Sequence, residues 1–319
     1  MEAGDSSGGS AAYWVRRAVS SIIVIWGVAT LVFVTLRLVP GDPVESILGE
    51  QALEVDKEKL RQCLDLHLSL PVQYGHFMVE VATGTFGELC DQKNVTVRDK
   101  LLESIPPTLE LAVASMLMAI LIAIPLGVIS ALKRGTWIDA GAAFVSLLGL
   151  SMPNFWLGPM LLILFSITLR VLPDPGAGIE GLAGLILPAI TLGTALSAKL
   201  TRMTRTSVLE VLGQDHVRTA RAKGLSERVV VARHVLRNAL IPVTTIAGLQ
   251  LGALLTGAII VEKVFARPGL GSLLLEAIEM RNYRVVQGCV LVIALTYVVV
   301  NLLTDLLYTR IDPRVSLTR

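Results

Sequence analysis

An all-α integral membrane protein is the fold class this sequence predicts, and three observations carry it. Apolar residues make up 53% of the 319 residues and charged ones 17%, with a mean hydropathy of +0.67. Soluble domains hold about 45–50% apolar and about 25% charged residues, so this chain lacks the polar surface of a water-facing globule. Six stretches are long and apolar enough to cross a bilayer, which takes roughly 20 residues per helix. Between them, basic residues collect in some hydrophilic segments and acidic residues in others, the pattern of two membrane faces.

The elements follow in order. Residues 1–18 read as a flexible cytoplasmic N-terminus, Gly- and Ser-rich over the first dozen. Arg16 and Arg17 precede the first span, Val19 to Val39; the run is too long for a secretory signal and lacks a small-residue cleavage pattern, so it reads as an anchor. Pro40 and Gly41 then turn the chain at the interface. Further spans are expected over Thr108 to Leu132, Ala140 to Leu169, Ile186 to Leu200, Ile241 to Val261 and Val285 to Leu307. Pro153 falls in the middle of the third and removes a backbone donor, which predicts a kink or tilt. The transmembrane domain is thus residues 19–319.

Lys and Arg set the orientation. Lys199 to Asn238 carries nine basic residues against three acidic, Lys133 and Arg134 follow the second span, and the tail has Arg310, Arg314 and Arg319. The segment Pro40 to Ile105 carries twelve acidic residues against six basic. Both termini are therefore expected in the cytoplasm, with residues 40–105 as an extracytoplasmic loop and residues 201–240 as a cytoplasmic one. The outer loop has weak helical patterns at Asp56 to Leu68 and Val97 to Ile105. Cys63 and Cys90 lie in it; they either form a disulfide or are two unrelated thiols, and spacing alone does not choose. Cys289, in the sixth span, reads as a small packing residue.

Several function classes are excluded. The net charge of +2 and the location of its basic residues imply no nucleic-acid surface. No phosphate-binding Gly-Lys-Ser/Thr loop, His-Glu-x-x-His or Cys-x-x-Cys is present, and His67, His76, His216 and His234 are scattered over both faces. Catalytic residues, a metal site and a cofactor bound by this chain are therefore not expected.

The basic island Gln214 to Asn238 is the most informative segment, because a long hydrophilic stretch between two spans needs a soluble partner or another reason for being there. Asp215 to Lys223 lacks helix breakers, and Gly224 is placed to end it in a left-handed cap. Ser226 and Glu227 then start a second helix running to Leu240. Ala220 and Gly224, four apart, share a face that a partner can approach closely; the other reading is a solvated loop obeying the charge rule.

The run Val217 to Leu225 (VRTARAKGL), followed by His234 to Pro242 (HVLRNALIP), resembles the cytoplasmic loop of permeases of binding-protein-dependent ATP-binding-cassette importers, specifically the dipeptide, oligopeptide and nickel family. Phe33 to Pro43, Ile105 to Leu111, Val261 to Gly288 and Thr304 to Val315 are similar to that family's first permease as well, so the likeness spans nearly the whole chain. Arg218 and Thr219 stand where the general motif has Glu and Ala, and His216 where a Tyr is common.

That resemblance implies a type I importer permease fold. It also implies a second homologous permease, one or two cytoplasmic ATPase subunits that hold ATP and Mg, and an extracytoplasmic solute-binding protein, all working in the lipid of a bacterial plasma membrane. Asp215, Val217, Arg218, Ala220, Arg221 and Gly224 are then the ATPase-coupling residues. Asn154, Ser151, Gln250 and Thr245 are candidates for the pathway, and Phe265, Arg267, Pro268 and Gly269 for an outer gate loop. Lys263, Arg267 and Arg284 add positive charge near the mouth, where a focused field favours an anionic group on the cargo. Di- or oligopeptides are the expected cargo, with nickel or another small solute as the alternative. A stand-alone secondary transporter is the second class, but it would show duplicated halves and carboxylates mid-membrane, whereas only Glu110 lies well inside a candidate span.

Overall fold

The computed structural model describes residues 6–49, 51–90, 95–173 and 181–311. Helix α1 (Ser6–Leu38) leads into three short helices, α2 (Pro43–Leu48), α3 (Glu54–Cys63) and α4 (Leu70–Thr83). Next come α5 (Val97–Leu132), α6 (Trp137–Ser151) and α7 (Asn154–Leu162), the last continued by the π-helical turn Ile163–Thr168. The chain goes on through α8 (Leu182–Leu212), α9 (Asp215–Ala222), α10 (Glu227–Val229) and a second π-helical stretch, Val230–Val235. It closes with α11 (Leu236–Val264), α12 (Leu270–Glu279) and α13 (Tyr283–Ile311).

Five of these helices are long and apolar enough to cross a membrane, and α6 with α7 makes a sixth crossing if the pair is one span. The break between them falls at Pro153 and bends the chain by 104°, much more than a kink. Three other boundaries differ from expectation. Helix α1 reaches back to Ser6, into the segment set aside as an extension, while residues 1–5 and the tail from 312 lie outside the described residues. Val97 to Ile105 is no separate interfacial helix but the start of α5; Pro106 and Pro107 remove donors to just two carbonyls, and the helix runs through them. Helix α8 runs twelve residues past Leu200, because its C-terminal half is amphipathic rather than apolar: Thr204, Val208 and Val211 are buried while Arg202 and Glu210 are exposed.

The described residues divide into two compact units. One comprises the chain up to Thr108 together with Pro268–Val299. Its core joins Leu89, Val97 and Leu101 to Leu270, Ala277, Val286 and Cys289, and Phe33 stacks on Phe77 with ring centroids 5.6 Å apart. Asp42 caps α2 by accepting from the Val44 amide at 2.9 Å and receives Arg61 Nη2 at 2.8 Å. Gly84 ends α4 in the left-handed conformation. Cys63 and Cys90 are joined in a disulfide with their Cα atoms 6.0 Å apart, which decides the question the sequence left open.

The second unit takes Leu109–Arg267 with the chain from Val300. Leu111, Met116, Leu192, Leu196, Leu254, Val261 and Phe265 build its core. Its helices cross closely where a side chain is missing. A Cβ on Gly127 would lie 2.6 Å from Thr204 Cβ, and one on Gly193 would lie 2.7 Å from the Ser115 carbonyl oxygen. Such contacts replace the hydrophobic drive that lipid cannot supply.

Candidate functional site

Helix α9 forms as expected over Asp215–Ala222, with Asp215 in its first turn and Arg221 in its last, each opposing the helix dipole. Lys223 follows as the cap and Gly224 takes φ +79°, the left-handed stop anticipated for it. Arg221 Nε and Nη2 donate to the two Glu227 carboxylate oxygens at 2.7 and 3.2 Å, so a fork closes the turn into α10. His216 Nε2 lies 3.4 Å from the His234 carbonyl oxygen and 3.3 Å from Asn238 Nδ2, a polar tie in place of aromatic packing.

The orientation of α9 corrects one expectation. Val217 and Ala220 are 0% and 4% exposed, packed with Ala131, Val208, Val211, Val230 and Val235. They face the ends of α5, α8 and α11, so Ala220 does not offer a close-approach surface to a partner. Asp215 and Arg218 point outward, their side chains 95% and 73% exposed, and Thr219 and Lys223 are exposed with them. A Cβ added to Gly224 would meet nothing within 4 Å, so its constraint inside the chain is backbone conformation and not crowding.

A polar clamp missed in the sequence sits beside this surface. Asp139, at the start of α6, accepts from Arg205 Nε and Nη2 at 2.8 Å each, from Ser130 Oγ at 2.5 Å and from the Gly135 amide at 3.0 Å. It ties the end of α5, the following turn and α6 to α8, the helix that leads into α9.

The four pathway candidates fall at the α6–α7 bend and on α11. Ser151 is exposed and Asn154 half-buried at the bend, where Asn154 Nδ2 stands 3.8 Å from a Cβ built on Gly257. Thr245 and Gln250 lie on α11, and Gln250 Oε1 accepts from Lys199 Nζ at 3.4 Å. A cavity of about 320 Å³ opens instead among Lys199, Arg202, Met203 and Thr206 of α8, Leu150 of α6 and Ile246 of α11. Lys199 and Arg202 belonged by sequence to the basic segment before Asn238; the i, i+3, i+7 spacing of Lys199, Arg202 and Thr206 on one helix was the signal for a stripe.

The outer-loop candidates have packing and polar contacts within the chain. Phe265 is 6% exposed in the core, and Arg267 Nη2 donates to Glu110 Oε2 at 3.4 Å. Gly269 caps α12 after Pro268, and the Leu270 amide donates to Thr108 Oγ1 at 2.8 Å. Arg284 Nη2 donates to the Cys63 carbonyl at 2.5 Å and pairs with Asp65 at 3.4 Å. Arg267 and Arg284 thus have local carboxylate partners, which offset part of the positive charge they add.

Comparisons with known proteins agree with this architecture. The family described as "Binding-protein-dependent transport system inner membrane component" matches residues 123–317, and its N-terminal companion matches residues 11–112. A glutathione transport system permease protein of Pectobacterium atrosepticum is 42% identical over 303 residues, covering 95% of this chain and 98% of its own. A dipeptide transport system permease protein of Alkalihalophilus pseudofirmus is 40% identical, covering 96% of this chain and 99% of its own. The fold is similar to that of an inward-facing crystal structure of the MetNI methionine transporter, with a TM-score of 0.55 and 18% identity over 67% of this chain and 96% of that one. The chain belongs to the binding-protein-dependent transport system inner membrane components, as a permease of an ATP-binding-cassette importer in the peptide-transport family.

Proposed function

We propose that this permease forms, with a second homologous permease, the path by which di- or oligopeptides enter the cell, and that α9 is the helix through which ATPase subunits drive it. The arrangement of α9 carries this reading: an apolar face, Val217 and Ala220, rooted in α5, α8 and the start of α11, and a charged face turned outward. A push on the outer face is delivered to membrane helices through packed side chains, which deform little.

In this reading the chain does no bond chemistry. ATP and Mg belong to one or two cytoplasmic ATPase subunits, and a solute-binding protein delivers cargo from outside. Both termini and residues 201–240 lie in the cytoplasm, in keeping with the excess of Lys and Arg there. Peptides as cargo follow the names of the relatives, one a glutathione and the other a dipeptide permease.

Reconstitution of the tagged permease with its co-purifying partners in liposomes tests the proposal. Uptake of a labelled dipeptide that needs both ATP inside and the binding protein outside is the expected result. Purification of the chain alone, or uptake driven by an ion gradient without ATP, would overturn it.

A further inference from the structure

Lys199 lies near the middle of α8, about 26 Å of helix from Leu182 and about 20 Å from Leu212 at 1.5 Å per residue. Lys199 and Arg202 are both exposed, so their charges stand in an open space and not in the packed core. The cavity beside α8 provides that space: it holds about 320 Å³, Lys199 and Arg202 line it, and its other walls are mostly apolar. No carboxylate lines it among the described residues. Lys199 donates to the neutral Gln250 amide at 3.4 Å, a bond that orients the ammonium and leaves its charge uncompensated. Two cations a single helical turn apart, beside mostly apolar walls, make the potential there positive.

We propose that Lys199 and Arg202 form an anion-holding station in the cavity beside α8, which takes the carboxylate of a peptide cargo while Met203, Leu150 and Ile246 accommodate its apolar part. The identity of the cargo rests on the peptide reading above; the positive potential does not. The volume lies at the small end of ligand pockets, in keeping with a terminal residue and its carboxylate rather than a long peptide.

Two measurements on the assembled importer separate these parts. Met203→Cys is labelled with an anionic and a cationic methanethiosulfonate and read on this chain after its separation from the other subunits; Cys289 is buried and Cys63 and Cys90 are bonded, so this chain's own background is low. The anionic reagent should react faster by roughly tenfold relative to a free thiol reference, and the preference should fall toward unity with Lys199→Met or Arg202→Met and return with Lys199→Arg. An unchanged ratio in the methionine variants would overturn the station.

Uptake of dialanine and of its C-terminal amide is then compared in proteoliposomes. Lys199→Met should lose about tenfold of dialanine uptake and clearly less of the amide, and Lys199→Arg should restore it. Equal loss for both peptides overturns the carboxylate role. Failure of the unmutated importer to take up either peptide overturns the peptide reading, with the labelling ratio still deciding whether the station exists.

Discussion

Arg205 grips Asp139 with two parallel hydrogen bonds of 2.8 Å, Nε to Oδ1 and Nη2 to Oδ2. The fork is planar on both sides, so it fixes the angle between α8 and the start of α6 as well as their distance. Because α8 continues into the turn before α9, a displacement of α9 has a stiff route to α6.

If that route carries motion, Arg205→Lys should lower transport by about threefold to tenfold while the importer still assembles, since an ammonium cannot make the paired bond. Asp139→Asn should do the same, and the double variant should be little worse than either single one. Transport and ATPase rates measured together check this: hydrolysis retained with transport lost is the expected signature.

Gly224 makes a graded prediction. With φ +79° and open space around it, the cost of a side chain is conformational, roughly 1–2 kcal/mol for Ala. Asn and Asp tolerate the left-handed region better than Ala, and β-branched Val tolerates it worst. Assembly and uptake should therefore rank Asn above Ala above Val. Gly224→Asp should assemble but transport less, because its charge lies at the outward face. An uptake series that follows side-chain volume instead would point to contact with a partner.

The disulfide closes a loop of 27 residues, for which chain entropy alone gives about 3–4 kcal/mol. Replacing both cysteines by Ser should leave the membrane helices folded and make α3 and α4 more sensitive to protease. Limited proteolysis with and without reductant measures it: the unmutated protein under reducing conditions should match the double variant.

Acid should act on the same outer region through two carboxylates of opposite sign. The hydrogen bond from Arg61 holds Asp42 below the usual carboxylate range, so its contribution is present above that range and lost as pH falls through the depressed value. Burial pushes Glu80 up, so the stability of its neutral form is present at low pH and lost as pH rises through the raised value. Asp42→Ala should cost about 1 kcal/mol near neutrality, as a lost helix cap, and less once pH has fallen through the depressed value. Glu80→Gln should stabilise at neutral pH and make little difference in acid. Melting curves in detergent across that range test both signs.

Most of the membrane architecture was legible in the sequence because an apolar run declares itself without tertiary information. Pro153 marked the break in the third span, and Gly224 marked the end of α9 with its left-handed backbone. The polar half of α8 was not legible by the same test: between Leu200 and Leu212 its pattern is amphipathic, and Lys199 and Arg202 were absorbed into a charge count. The direction of α9 was also hidden. Spacing puts Ala220 and Gly224 on one face, but only Val217, three residues before Ala220, hints that this face turns inward, and confirming it takes the packing of Val208 and Val235. The partners of Asp139 and Cys63 come from 66 and 27 residues away, distances at which no local pattern speaks.

In the proposed orientation, with residues 40–105 outside the cytoplasm, the link between Cys63 and Cys90 also makes manufacture of this permease a two-compartment process. Such bonds form where thiols are oxidised, so a chain whose outer loop has not been delivered keeps both sulfurs free. The bonded fraction thus dates each molecule's delivery, and a cell short of extracytoplasmic oxidant would accumulate inserted but unsealed copies, vulnerable to surveillance proteases before they ever meet a partner.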